Sequence, residues 1–174
     1  EIWSDILLTG YRHTPTQSVS EDAKMRTVAL YAPSKTFNLA GLVGSYHIIY
    51  NSWLRDRCDK EGALSHYNAM NVMSMHALLG AYKPEGYEWM EELRQVITGN
   101  VDFACDYIAK HFNGVEVSRP QGTYMLFLDC GEWLTAHGKT MDELLAAGWD
   151  VGVIWQDGRA CHGPTHSRRN LALP

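Results

Sequence analysis

The chain has 174 residues, 45% of them hydrophobic and 20% charged, with a formal net charge of −5 and acidic and basic residues interleaved. That composition suits a globular protein able to bury one large domain or two small ones. It offers no basic stripe for neutralising phosphates, which argues against nucleic acid as a partner, and no apolar run approaches the roughly 18 residues of a membrane-spanning helix.

In chain order, "EIWSDILLTG" begins abruptly with apolar residues, as though a strand or its following loop had been cut, and a polar loop, "GYRHTPTQSVSED", follows. "TVALYA" and "GSYHIIY" read as two β-strands, because β-branched and aromatic residues dominate and Pro, Gly and Asn bound them. Lys35 falls in the connection between them. The Ala-, Met- and Leu-rich stretch from about Leu64 to Tyr82 reads as a buried helix, with Met70, Met73, Met75 and His76 as core filling, ended by Lys83-Pro84. A longer helix is predicted from about Gly86 to Phe112, with Trp89, Leu93, Val96, Ile97, Val101, Ala104, Ile108 and Phe112 as its apolar stripe. That stripe needs a sheet. The candidates are "VEVSRP", "GTYMLFLDC", then, after a short helix at "TMDELLAAG", "VGVIWQ" and "RRNLAL". The order predicts the tail of one α/β layer joined by the long helix to a smaller α+β unit.

Lysine chemistry is the sharpest question the sequence raises. An ammonium at the C-terminal edge of a sheet can bind an anion, and a deprotonated amine can attack a carbonyl to give a Schiff base. Spacing alone describes a solvated loop lysine better. "LYAPSK" carries no glycine for a phosphate-cradling G-x-x-x-x-G-K-[ST] loop, and Ser34, adjacent to Lys35, cannot serve an S-x-x-K signature. The cysteines, Cys58, Cys105, Cys130 and Cys161, form no C-x-x-C pair, which fits free thiols in a reducing cytosol. Cys161, His162 and His166 have ligand chemistry, but Gly163-Pro164 between them rules out a regular helix, so no metal site is expected. Tyr11 and His13 read as solvated loop residues, and Tyr124, alternating with Leu126 and Leu128, as core.

"APSKTFNLAGL" resembles the pyridoxal-phosphate lysine segment of the class I/II aminotransferase superfamily, and specifically its cystathionine β-lyase (MalY/PatB-type C–S lyase) branch. Further motifs follow in matching order. "EIWSD" is similar to the end of the family's D-E-I-[WHY] strand, "NAMNVMSMHALLGAY" to the helix after the lysine, "QGTYMLFLDC" to its G-T-Y strand and "HSRRNLALP" to the terminal R-x-N-x-A-x-P strand.

The resemblance implies a C-terminal fragment of a fold-type-I, aminotransferase-like α/β enzyme. Residues 1–84 would be a remnant of the large cofactor-binding domain, and residues 85–174 the interdomain helix and an α+β small domain. It implies that Lys35 holds pyridoxal 5'-phosphate through its amine and shuttles the Cα proton, that Ser34 lies near the cofactor phosphate, and that Arg168 forks onto the substrate carboxylate. Arg169 is the competing arginine; neighbours on a strand point to opposite faces, so only one of them can face a pocket. Many aminotransferases carry a phosphate-binding arginine where this chain has Val43, which argues against a strict aminotransferase and is compatible with the lyase branch. Trp3 stands where several relatives place a tyrosine. The family aspartate that pairs with the pyridine nitrogen would sit immediately before Glu1. The implied reaction is α,β-elimination on a cysteine-type amino acid, with transamination and a non-catalytic assembly role as alternatives. The intact enzyme would be a cytoplasmic homodimer acting on a small amino-acid substrate.

Overall fold

The computed structural model describes residues 1–65 and 69–172. Two compact units divide the chain, Glu1–Arg94 and Gln95–Pro174, with the division falling inside one long helix.

In the first unit a short helix that the sequence did not announce, α1 (Glu21–Arg26), precedes the strands. Ser20 caps it by accepting from Ala23 N at 3.0 Å, Glu21 and Asp22 occupy its first turn, and Lys24 and Arg26 pair back to them. It has no buried side chain, so there was no apolar stripe to read. The predicted strands form over their central residues only, β1 (Ala29–Tyr31) and β2 (Tyr46–Ile48), paired antiparallel with Leu30 opposite His47. Gln17, buried in a short 3₁₀ turn, donates from Nε2 to Thr27 O at 3.1 Å and Ile48 O at 2.9 Å, which satisfies two carbonyls at the end of the short ladder.

After β2 come two helices instead of the single predicted one. Asn51 caps α3 (Ser52–Ala63), and Asn71 caps α4 (Val72–Ala81) by accepting from Ser74 N at 2.9 Å. The expectation of one buried helix from Leu64 to Tyr82 is corrected. The helix starts at the Asn71 cap, and the part of that expectation covering His66, Tyr67 and Asn68 lies outside the described residues. Nor is it buried: only Ser74 is, while Val72, Met73 and Leu79 are 65%, 69% and 57% exposed and His76 faces solvent. Apolar composition announced burial, but no described element covers these side chains.

The long helix, α5 (Pro84–His111), matches its predicted span closely, with Pro84 in its first turn where a missing N–H costs nothing. Met90, Ile97, Val101, Cys105 and Ile108 are buried, whereas Trp89, Val96 and Phe112, expected in the stripe, are about half exposed. In the second unit four antiparallel strands run in the order β3 (Glu116–Val117), β4 (Met125–Asp129), β6 (His166–Asn170), β5 (Gln156–Asp157). Leu126 and Leu128 point to the buried face of β4, as their alternation predicted. Between β4 and β5 lie the unpredicted α6 (Gly131–His137) and the predicted α7 (Met141–Asp150), opened by a capping box of Thr140 and Glu143.

"VGVIWQ" is not the predicted strand. Val151, Val153 and Ile154 are exposed, and Gly152 adopts φ +79° so that Val153 N can donate to Gly148 O at 2.8 Å. Its backbone donors close the end of α7 instead of joining a ladder. Only Gln156 and Asp157 reach the sheet. No helix among the described residues is long and apolar enough to cross a membrane.

Candidate active site

Lys35 lies on a single helical turn, α2 (Pro33–Thr36), which follows β1 after the extended residue Ala32. Pro33 at the start of that turn fixes φ for a helical start and is itself buried. The turn is anchored from below: Thr36 is 1% exposed, and its hydroxyl donates to Asp5 Oδ2 at 2.9 Å. Phe37, next in sequence, stacks on Trp89 at 5.9 Å and meets Tyr82 edge-on at 5.6 Å. With the residues on one side fixed, Lys35 is left half-buried, its Nζ 5.6 Å from the Trp3 ring centroid. Neither Lys35 Nζ nor the Ser34 hydroxyl makes a hydrogen bond or ion pair among the described residues.

Beside this turn is a cavity of about 550 Å³ whose walls include Asp5, Arg12, Thr36, Phe37, Tyr46 and Tyr82. Its aromatic side is a connected cluster: Tyr31 stacks on Tyr46 at 5.5 Å, and Tyr46 meets Tyr82 edge-on at 6.0 Å. Burial raises the Tyr82 hydroxyl above its ordinary pKa, and its hydrogen bond with Tyr46 adds to that. Burial also raises Tyr31, which donates to Glu1 Oε2 at 2.7 Å, so that its pKa is pushed up to about 12. Burial works against ionisation of Glu1. Hydrogen bonds from Thr16 N at 2.8 Å and from Tyr31, with His13 Nε2 3.4 Å away, outweigh it and hold the carboxyl at about 2. His13 is therefore half-buried and paired with Glu1, not solvated as predicted, while Tyr11 is 43% exposed.

In the second unit, Arg168 and Arg169 project to opposite faces of β6, as strand alternation requires. Arg168 lies between Phe127 of β4 and Gln156 of β5 in the register. Its Nε donates to Gln156 Oε1 at 2.6 Å and its Nη1 approaches Cys161 Sγ at 3.9 Å. His166, two residues earlier, stacks on Phe127 at 4.5 Å. Gly163 permits that approach, because a Cβ there would come within 2.5 Å of Phe127 Cζ. The Thr165 hydroxyl donates to Asp129 Oδ1 at 2.7 Å, and this bond, with Gly131 N, holds the Asp129 carboxyl below its ordinary range. Arg169 faces the other way, over the Trp155 ring.

Two supporting residues escaped sequence reasoning. Asp5 carried no signal that it would reach Thr36, and Gln156 follows from strand register, which hydropathy does not specify. Cys161 lies in the loop that leads into Arg168. Val43, at the position of the aminotransferase arginine, is 77% exposed with φ +36°, a left-handed conformation uncommon for a β-branched residue. In the terminal motif, Leu173 and Pro174 lie outside the described residues.

No protein-family model matches the chain. It is 30% identical over 148 residues to cystathionine β-lyase PatB of Bacillus subtilis, an alignment covering 85% of this chain and 38% of that protein. It is 30% identical over 134 residues to the protein MalY of Escherichia coli, covering 74% of this chain and 32% of that one. Cystalysin from Treponema denticola, whose crystal structure contains a pyridoxal 5'-phosphate cofactor, superimposes with a TM-score of 0.87 at 27% identity, covering 100% of this chain and 44% of that one. The chain thus spans less than half the length of these relatives. The chain therefore has the fold of the fold-type-I pyridoxal-phosphate enzymes and is similar in sequence to the C-terminal part of relatives named cystathionine β-lyase PatB and MalY.

Proposed function

We propose that the protein to which this chain belongs is a pyridoxal-phosphate-dependent C–S β-lyase, which splits a cysteine-type amino acid such as cystathionine into a thiol, pyruvate and ammonia. The observation that carries the reading is the Lys35 turn: a half-buried amine with no carboxylate partner among the described residues, beside a hydroxyl equally without one. An aldehyde-bearing phosphate compound suits both groups, the amine through a Schiff base and the hydroxyl through a hydrogen bond to the phosphate. Lys35 would hold the cofactor, and Ser34 would donate to its phosphate. When bound, pyridoxal phosphate supplies an electron sink for the charge left at Cα.

The chain's own residues do the rest. Lys35 Nζ, as the free amine, takes the Cα proton and so starts the elimination in which the Cβ–S bond breaks and the electron pair leaves with sulfur. Arg168 binds the substrate carboxylate through two parallel N–H bonds, with Gln156 fixing the guanidinium plane. A transaminase would use the same lysine and arginine. Val43, in place of the arginine many aminotransferases have, supports the lyase.

A second reading concerns assembly. Val72, Met73, Met75 and Leu79 on α4 leave an exposed apolar face, which supports association of the intact protein as a homodimer.

Adding pyridoxal phosphate should generate the visible absorption band of a lysine-linked cofactor. That band should be lost in Lys35→Ala and kept in Lys139→Ala, a surface control paired with Glu143. In the intact protein, cystathionine should yield pyruvate and free thiol with no added keto acid. Strict dependence on a keto acid would make the protein a transaminase instead.

A further inference from the structure

The second unit holds a cavity of about 660 Å³ on the face of the sheet opposite Arg168, walled by α5, β4, α6 and α7. The lyase reading makes no use of it. Its walls are mostly apolar, with Ile108, Leu126, Leu128, Trp133 and Leu144 among them. Into this apolar space the fold places the Arg169 guanidinium, 3.4 Å above the Trp155 ring. Trp155 is itself seated against α7: a Cβ at Gly148 would come within 2.3 Å of its indole nitrogen, so only glycine leaves room for that ring.

Arg169 Nη1 is buried yet has no hydrogen-bond partner among the described residues. A buried charged donor left unpaired forfeits its hydration with nothing in return, so such groups normally meet a counter-charge. None lines the cavity among the described residues. Its polar walls are Arg169, His111, His137, two asparagines and the neutral thiol of Cys130, with no aspartate or glutamate. Burial lowers the Arg169 pKa to about 10, which still leaves it cationic at neutral pH. An apolar enclosure of ligand size with one unpaired fork donor and no acid is complementary to a molecule with an apolar body and an anionic head.

We propose that this cavity binds a small amphipathic carboxylate, whose head group pairs with Arg169 and whose apolar body lies against Leu126, Leu128 and Leu144. The site lies on the face of the sheet opposite Arg168, and the proposal does not rest on the lyase reading. Occupation would supply the counter-charge that the described residues do not, with Trp155 holding the guanidinium plane for a two-bond contact.

Octanoate and octan-1-ol, which share a chain and differ in the head, provide the test. In the ¹⁵N-labelled protein, the indole N–H resonance of Trp155, assigned by its disappearance in Trp155→Phe, reports on the cavity. Octanoate should shift it saturably and octan-1-ol should bind at least tenfold more weakly. Arg169→Met keeps the bulk and removes the charge; it should lower octanoate affinity at least tenfold and leave octan-1-ol unaltered. Should that variant fail to fold, Leu144→Trp fills the cavity from α7 and should abolish binding of both. Equal affinity for the two compounds, no saturable shift, or octanoate binding that survives Arg169→Met or Leu144→Trp would each overturn the proposal.

Discussion

The Lys35 turn and the β6 arginines are two regions that present cations, and they are positioned by different physics. Arg168 and Arg169 are placed by period-two geometry: register with Phe127 and Gln156 fixes one, register with Leu126 the other, and the pleat sends them to opposite faces. Lys35 is placed by side chains far away in sequence. Asp5 holds Thr36 across a separation of 31 residues, and Phe37 is held by Tyr82 and Trp89. A strand residue inherits its direction from the backbone, whereas a turn residue has to be held by its neighbours.

The sharpest way to break the β6 region is to remove what fixes the register of its sheet. Leu126 is 1% exposed and sits opposite Arg169. Leu126→Ala should cost about 2–5 kcal/mol, the range for truncating a buried leucine. Phe127→Ala, on the half-buried face, should cost less. Urea unfolding monitored by far-ultraviolet circular dichroism measures both, and equal losses would mean that the two faces of β4 are not distinct in the way burial indicates.

This contrast also explains what the sequence disclosed. Alternation in "YMLFLD" placed Leu126 and Leu128 inside, adjacency separated Arg168 from Arg169, and three- and four-residue spacing located most of α5. What failed had no periodic signal or a false one. The polar faces of α1 and α3 carry no apolar stripe, and the β-branched run at Val151 to Ile154 looked like a strand until helix closure claimed its backbone. At the candidate site, the motif around Lys35 was visible, but its support by Asp5 and the pairing of Arg168 with Gln156 were tertiary facts.

At the Lys35 turn a single bond can be broken. Asp5→Ala leaves the buried Thr36 hydroxyl without its acceptor and should destabilise the chain by about 1–3 kcal/mol. If the bond positions the turn, the same substitution weakens the pyridoxal-phosphate absorption band, while Thr36→Ser, which keeps the hydroxyl, retains it. An unchanged band in Asp5→Ala would assign the placement of Lys35 to the aromatic cluster alone.

A smaller effect, with a sign on each side of neutrality, comes from the Tyr31–Glu1 bond beside that turn. Glu1 is held at about 2, below its ordinary 4.5, so its stabilisation is complete above pH 4.5 and is lost as pH falls from there toward 2. Tyr31 is raised from 10 to about 12, so its stabilisation is complete below pH 10 and is lost as pH rises from there toward 12. Tyr31→Phe removes the donor that both shifts share. At neutral pH it should cost about 1 kcal/mol, since Thr16 and His13 continue to hold Glu1. The acid-side loss should become shallower, because the remaining partners depress Glu1 less. The alkaline loss should shrink without vanishing, because Tyr82 is also raised. Urea midpoints from pH 2 to pH 12 read both limbs. A change confined to the alkaline limb would show that Thr16 and His13 suffice to hold Glu1, and that the phenol is the dependent partner in the pair.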